Sequence, residues 1–393
     1  MNTKYPDSLQ EMVFSTNEGQ NIGNLIEASR VHPEHFSMVK GKTYMNWNSD
    51  VHLPSNLVYL ELANNTSIKI ESSLKFPPTL KHLRLRKFGE FDLENTLQTL
   101  SATYMHIGSI DGICFPKSLS HLDLSSNKIT SIKNTNIPEL LKLTRIELRY
   151  NRIKSFGSVL IHSSSNLRYL SLEYNRLCQC NVRNFRKLHT LNLSNNAFPG
   201  PLDKKALSLP ESLISLKLSN TSFAEMGENF KFPKNLRELI FSGPGIKTFS
   251  QNFFDSIPKS VTRLYLSKGD IGTTSSIKLE FPNLTYLSLY GNNITPGKLL
   301  IDCPKLETLD LENNAITEFD TSLLPLGIKS VALGSNGMQS IVGSFENFEK
   351  LKNLEFGDNK LGPWLKENEL ILPKDLFSID LTDNEVTDIS RKL

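Results

Sequence analysis

The chain has 393 residues, 38 % of them hydrophobic and 22 % charged, which is enough apolar material for a core and excludes a disordered tail. Its 44 basic and 41 acidic residues leave a net charge of +3, without the basic excess of a dedicated nucleic-acid binder. Four scattered cysteines, Cys114, Cys178, Cys180 and Cys303, are too few for a disulfide framework, and the Cys178/Cys180 pair lacks a second pair of ligands to complete a metal site.

The first twenty residues contain no apolar run of the signal-peptide kind. Further along, no stretch approaches the roughly 18 apolar residues that a membrane span needs. The chain as given is therefore expected to be cytoplasmic, without a membrane span.

From residue 57 onward one phrase recurs. An apolar residue is followed three and five positions later by two more, and eight positions later by asparagine, as in Leu119, Leu122, Leu124 and Asn127. The first apolar position falls at 57, 80, 97, 119, 143, 167, 188, 213, 236, 261, 284, 306, 328, 351 and 376; apart from one short step of 17, the spacing is 21 to 25 residues. Two weaker registers lie upstream, one on Leu9, Met12, Phe14 and Asn17, the other on Phe36, Val39 and Tyr44, for seventeen candidate repeats. A proline three residues ahead of the leading apolar position recurs with an apolar residue before it, at Phe76-Pro77, Phe115-Pro116, Phe232-Pro233, Ile257-Pro258, Leu324-Pro325 and Leu372-Pro373. Proline cannot donate to a ladder and pushes the residue before it out of helical geometry, so each of these prolines ends a return segment and hands the chain to the next strand.

Alternation within the phrase puts Leu122 and Leu124 on one side and Asp123 on the other, so each repeat contributes a short strand. Such a strand cannot bury its apolar side alone; stacked neighbours make one continuous core. The pattern resembles the leucine-rich repeat superfamily over nearly the whole chain. The resemblance implies an α/β leucine-rich-repeat solenoid: a curved horseshoe with a parallel sheet on the concave face, and loops, turns and short 3-10 or helical pieces on the convex face. It also implies an asparagine ladder, here Asn17, Asn65, Asn127, Asn151, Asn175, Asn196, Asn292, Asn314, Asn336, Asn359 and Asn384, with three consecutive repeats lacking it at Thr221, Pro244 and Gly269. A single domain over 1–393 is expected, with degenerate repeats in 1–50, regular ones in 51–393, and the whole a fragment of a longer chain.

No nucleophile elbow, His-Glu-x-x-His or phosphate-cradling glycine loop is present, so no enzyme and no cofactor is expected. In the family the concave sheet is the usual ligand surface and partners are most often proteins. The outward strand positions carry arginine and tyrosine, the residues that most often supply interface energy, at Arg84, Arg145, Arg149, Tyr150, Arg168, Tyr169, Tyr174, Tyr265, Tyr286 and Tyr290. The last four repeats are acidic there, with Glu307, Asp310, Glu312, Glu355, Asp358, Asp380 and Asp383. The expected function is a non-enzymatic scaffold for a protein partner; the alternatives are the substrate-recognition region of a ubiquitin-ligase-type or effector protein, and a secreted or cell-surface recognition protein. Nucleic acid is not the expected ligand.

Overall fold

The computed structural model describes residues 11–15, 35–39, 45–47, 53, 55–61, 68–70, 75–85, 96–133, 135–157, 165–227, 230–243, 250–273, 276–362, 364–365 and 370–389. The chain divides into two compact units, residues 1–177 with 182–191, and residues 178–181 with 192–393. Each is a parallel-sheet solenoid with little helix.

In the first unit the strands Glu11–Ser15, His35–Val39, Tyr59–Glu61, His82–Leu85, Thr99–Ala102, His121–Asp123, Arg145–Glu147 and Tyr169–Ser171 each pair in parallel with the next. In the second, Ser215–Lys217, Glu238–Ile240, Arg263–Tyr265, Tyr286–Ser288, Thr308–Asp310, Ser330–Ala332, Asn353–Glu355 and Ser378–Asp380 do the same. Parallel neighbours need a crossover between them, and here each crossover is the rest of the repeat. The upstream registers do form strands. Phe36, however, stands opposite Leu60, the second apolar position of its repeat, and not the first as the spacing alone suggested. Leu9, Asn17, Tyr44 and Asn65 lie outside the described residues.

Fourteen of the fifteen leading apolar positions are buried, from Leu57 to Leu351, each at most 3 % exposed; Leu376 is half-buried. At roughly 1.5–3 kcal/mol per buried aliphatic side chain, this column alone supplies a large driving force. The strand-facing column behind it, with Leu122, Ile146, Leu170, Leu264 and Leu309, is at most 2 % exposed.

The recurring proline has a second role that the sequence alone did not disclose. Its carbonyl accepts from the amide of the leading apolar residue three positions on, in Pro77–Leu80 (3.0 Å), Pro116–Leu119 (3.1 Å), Pro233–Leu236 (3.0 Å), Pro258–Val261 (3.1 Å) and Pro325–Ile328 (3.0 Å). Repeats without proline close the same turn, as in Phe185–Leu188 and Phe348–Leu351. The residue ahead of the proline is buried at Phe76, Phe115, Phe232, Ile257 and Leu324, plugging the core from the return side.

The return segments carry one α-helix among the described residues, Gln251–Ser256, which buries Phe253 and Phe254. Short 3-10 turns occur at Ile137–Glu139, Ile271–Thr273 and Thr321–Leu323. They also carry short parallel ladders that the sequence reading did not foresee, such as Ile277–Glu280 on Leu299–Asp302 and Glu318–Asp320 on Ser340–Val342. Their cause is the constant period: extended return segments of equal length fall side by side and pair their backbone groups.

The asparagine ladder is present in both units. The Asn314 amide donates to the carbonyls of Leu289 (3.0 Å), Leu311 (2.9 Å) and Glu312 (3.1 Å), and its oxygen accepts from the amides of Asn292 and Ile294, both at 3.0 Å. Asn151 ties Leu124 to its own turn and accepts from Ile129. The residue just before each ladder position turns left-handed, with φ between +50° and +106° at thirteen described positions from Tyr104 to Asp383. Glycine, asparagine, aspartate or serine, which tolerate that conformation or bond locally in it, fill nine of them.

At Thr221 the ladder is cut short: its hydroxyl donates to Leu218 within its own repeat, 2.6 Å away. Amides near Thr221 and Gly269 should therefore exchange with solvent faster than those around Asn314, Asn336 and Asn359, and equal protection would contradict this. Asn314→Ala should cost about 3 kcal/mol in urea unfolding, because it strands two backbone N–H groups as well as removing the amide's own bonds.

Candidate functional site

Six of the ten singled-out residues come together in the first unit, on two successive turns. The alternation Arg145, Glu147, Arg149 sends all three side chains to the same side of the sheet. Backbone pairing sets His121 beside Arg145, Tyr169 beside Arg145, and Ser171 beside Glu147. Glu147 is the organising group. Its side chain is only 9 % exposed; Arg145 Nε donates to Oε1 at 2.8 Å, Arg149 Nη2 lies 3.2 Å from Oε2, and His121 Nε2 lies 3.5 Å from Oε1. His121 and the two guanidiniums outweigh burial and push the Glu147 carboxyl down to about 2. The Arg145 guanidinium is also held from its other side, 3.6 Å above the centre of the Tyr169 ring, an arrangement that favours the cation.

Three further buried polar atoms beside this carboxylate, Arg149 Nε, Ser125 Oγ and Ser171 Oγ, have no hydrogen-bond partner among the described residues. The outward parity that singles out Arg145 and Arg149 holds equally for Glu147, and the Arg-x-Glu-x-Arg spacing was the available signal, because period two forces the three charges together.

Tyr150 and Tyr174 stack on each other, ring centres 4.3 Å apart and planes within 9°, while remaining 51 % and 42 % exposed. Both hold the left-handed conformation before the ladder asparagine, with φ of 53° and 51°. For a bulky residue this costs roughly 1–2 kcal/mol, in a position where other repeats use asparagine or glycine. Arg168 is exposed one residue before Tyr169.

The remaining four residues lie elsewhere. Arg84, in the strand His82–Leu85, pairs with Glu61 at 3.1 Å, and the Tyr59 hydroxyl donates to the same carboxylate at 2.9 Å. Two strands, Thr99–Ala102 and His121–Asp123, separate it from Arg145. Tyr265 and Tyr286 belong to the second unit, side by side with ring centres 4.7 Å apart. Burial, Asp310, Tyr265 and Glu312 together raise the Tyr286 phenol above its ordinary range. Tyr290 lies further along that face, with Lys268 Nζ 5.9 Å from its ring centre. In the acidic repeats burial, Asp310 and Glu355 raise the Glu312 carboxyl. Cys180 and Cys303 are buried, the latter's thiol pushed up to about 11 by burial, which suits inert core positions; Cys114 and Cys178 are exposed. Among the described residues no helix is long and apolar enough to cross a membrane, and no three metal-ligating side chains gather.

A strand, a ladder asparagine and a return turn repeated at one period define a solenoid whose surface is a set of parallel side-chain rows. Known proteins agree with this description. Residues 117–177 match the family model for a leucine rich repeat, and residues 282–324 match the model for two copies of leucine rich repeats. Receptor like protein 22 of Arabidopsis thaliana is 31 % identical over 165 residues, covering 41 % of this chain and 21 % of that protein. The chain spans between 18 and 50 % of the length of the curated relatives it matches. YopM from Yersinia enterocolitica superposes with a TM-score of 0.62 at 20 % identity, covering 93 % of this chain and 83 % of that one. The TLR13 chain of a TLR13–ssRNA13 complex superposes with a TM-score of 0.53 at 17 % identity, covering 97 % of this chain and 75 % of that one. The chain is a leucine-rich repeat protein. Proteins of this class are generally protein-interaction scaffolds, and those similar to this one include receptor-like and effector proteins.

Because the folded-state Glu147 carboxyl sits near 2 and the unfolded one near 4.5, its contribution is complete above about pH 4.5 and is lost as pH falls toward 2. Glu147→Gln should cost about 2 kcal/mol at pH 7, and its gap to wild type should close between pH 4.5 and 2; a gap independent of pH would contradict this.

Proposed function

We propose that the chain is a non-enzymatic protein-binding scaffold, with its partner seated on the sheet face of the first unit around Arg145, Arg149, Tyr150, Arg168, Tyr169 and Tyr174. The observation that carries this reading is the fixed Arg145 guanidinium, tied to Glu147 on one side and laid on Tyr169 on the other. A side chain so held has already lost its rotamer freedom, so a partner meets it without that entropic cost. Arg84, Tyr265, Tyr286 and Tyr290 extend the set of candidate contacts as separate patches. The shared carboxylate of Glu147 offsets charge on Arg145 and Arg149, which favours a protein over a polyanion on this face.

A second reading, a recognition region within a larger receptor-type, effector or ubiquitin-ligase-type protein, is supported by the partial coverage of the relatives. It uses the same surface and differs only in what the surface is attached to. A cytoplasmic location belongs to the first reading.

Capture from a host-cell lysate should be run with wild type beside an Arg168→Glu, Tyr174→Asn double variant, which leaves the Glu147 cluster intact. Circular dichroism should show both folded. The captured protein, once identified and purified, should protect strands 145–147 and 169–171 from hydrogen exchange and bind the variant at least tenfold more weakly. Equal binding, or protection confined to return segments, would overturn the assignment.

A further inference from the structure

Beside the sheet face, where each strand ends, the first unit carries a second array. Four successive turns place Tyr104, Ser126, Tyr150 and Tyr174 at the left-handed position, with φ of 58°, 58°, 53° and 51°. Two residues further on they place His106, Lys128, Arg152 and Arg176, all exposed. The backbone amides of the last three donate to Ile107, Ile129 and Ile153 at 2.8, 2.9 and 3.0 Å, so these residues stand in register, one per turn. Neighbouring turns are about 4.8 Å apart, so the three cations span about 10 Å. Among the described residues none of Lys128, Arg152 and Arg176 makes an ion pair, in contrast to Arg84, Arg145 and Arg149.

The tyrosines are not there for the fold. Asparagine, aspartate, serine, glycine or lysine meets the same backbone requirement in the ten other described turns. Tyr104, Tyr150 and Tyr174 are 68 %, 51 % and 42 % exposed, and between Tyr104 and Tyr150 the small Ser126 leaves a gap in the aromatic row. The array is an aromatic shelf flanked by uncompensated positive charge.

We propose that this edge binds a short, extended acidic segment of the protein partner, its carboxylates on Lys128, Arg152 and Arg176 and a planar side chain against the exposed tyrosine faces; this rests on the protein-scaffold reading. An extended peptide rises about 3.4 Å per residue, so a stretch of roughly four residues matches the length of a 10 Å row. A nucleic acid draws its affinity from neutralising many phosphates. Here the cation row is short: the equivalent positions of the next two repeats are Ala197 and Ser222. Charge and length together favour the acidic peptide.

Fluorescence anisotropy on the full chain tests this with three labelled probes: an eight-residue peptide alternating glutamate and tyrosine, its glutamine–tyrosine counterpart, and a single-stranded oligouridylate of the same charge as the first. The glutamate peptide should bind at least tenfold more tightly than the glutamine peptide and more tightly than the oligouridylate. Lys128→Gln, Arg152→Gln and Arg176→Gln combined should abolish the difference. Arg152→Gln alone should weaken binding severalfold, as should Tyr150→Asn, with unchanged circular dichroism. Equal binding of the two peptides, tighter binding of the oligouridylate, or indifference to the arginine changes would overturn the proposal. A partner captured from lysate while the glutamate peptide fails to bind would sink the edge assignment and leave the scaffold reading standing. Peptide binding without any captured partner would support the edge and count against the scaffold.

Discussion

A polar group buried away from water must find partners, and in this chain one such obligation is met in most of the described turns. The ladder asparagine lies inside the coil, where its amide donates to carbonyls of its own and the preceding turn and accepts amides that would otherwise face apolar side chains. The left-handed residue before it marks the place where the strand ends, and it is kept even in the turns where Met105, Thr221, Pro244 and Gly269 replace the asparagine. The leading apolar column and the proline-closed turn complete a period of nearly constant length. Everything on the surface inherits that period, so residues far apart in sequence line up in rows.

The same rule governs the exposed face at one point. Glu147 is as buried as the ladder amides, but it is charged, and it draws His121, Arg145 and Arg149 around it. Removing one member of such a group leaves the others uncompensated, which ties the conformation of the face to a single carboxylate. The exposed edge differs. The side chains of Lys128, Arg152 and Arg176 make no ion pair among the described residues, and Tyr150 and Tyr174 occupy a backbone conformation that smaller residues meet at lower cost. A costly residue kept without structural return is the observation behind the proposal that this edge binds a partner.

Most of the architecture was legible before any coordinates because it rests on periodic burial: Leu119, Leu122 and Asn127 announce core, strand and ladder by spacing alone. The turn closed by the proline carbonyl was not legible, since spacing reports where a proline sits and says nothing of what its oxygen accepts. The register at Phe36 misled because the neighbouring Pro33 stands in the leading position, where an apolar residue is usual. On the face, sequence reasoning found Arg145, Tyr169 and the tyrosine pair by their outward parity. It missed that Glu147 neutralises its neighbours, because charge counting along a chain does not register depth. It also missed the row Lys128, Arg152 and Arg176, which lies past the ladder asparagine, outside the strand positions where attention fell.

If satisfaction of buried polar groups is what organises both the coil and its face, the state of Glu147 is the most direct place to look. Carbon-13 NMR of the side-chain carboxyl, followed from pH 6 downward in the folded chain, should show a midpoint near 2. A midpoint at the ordinary value of about 4.5 would mean that the carboxylate is neither enclosed nor shared, and the ordered face described above would not exist.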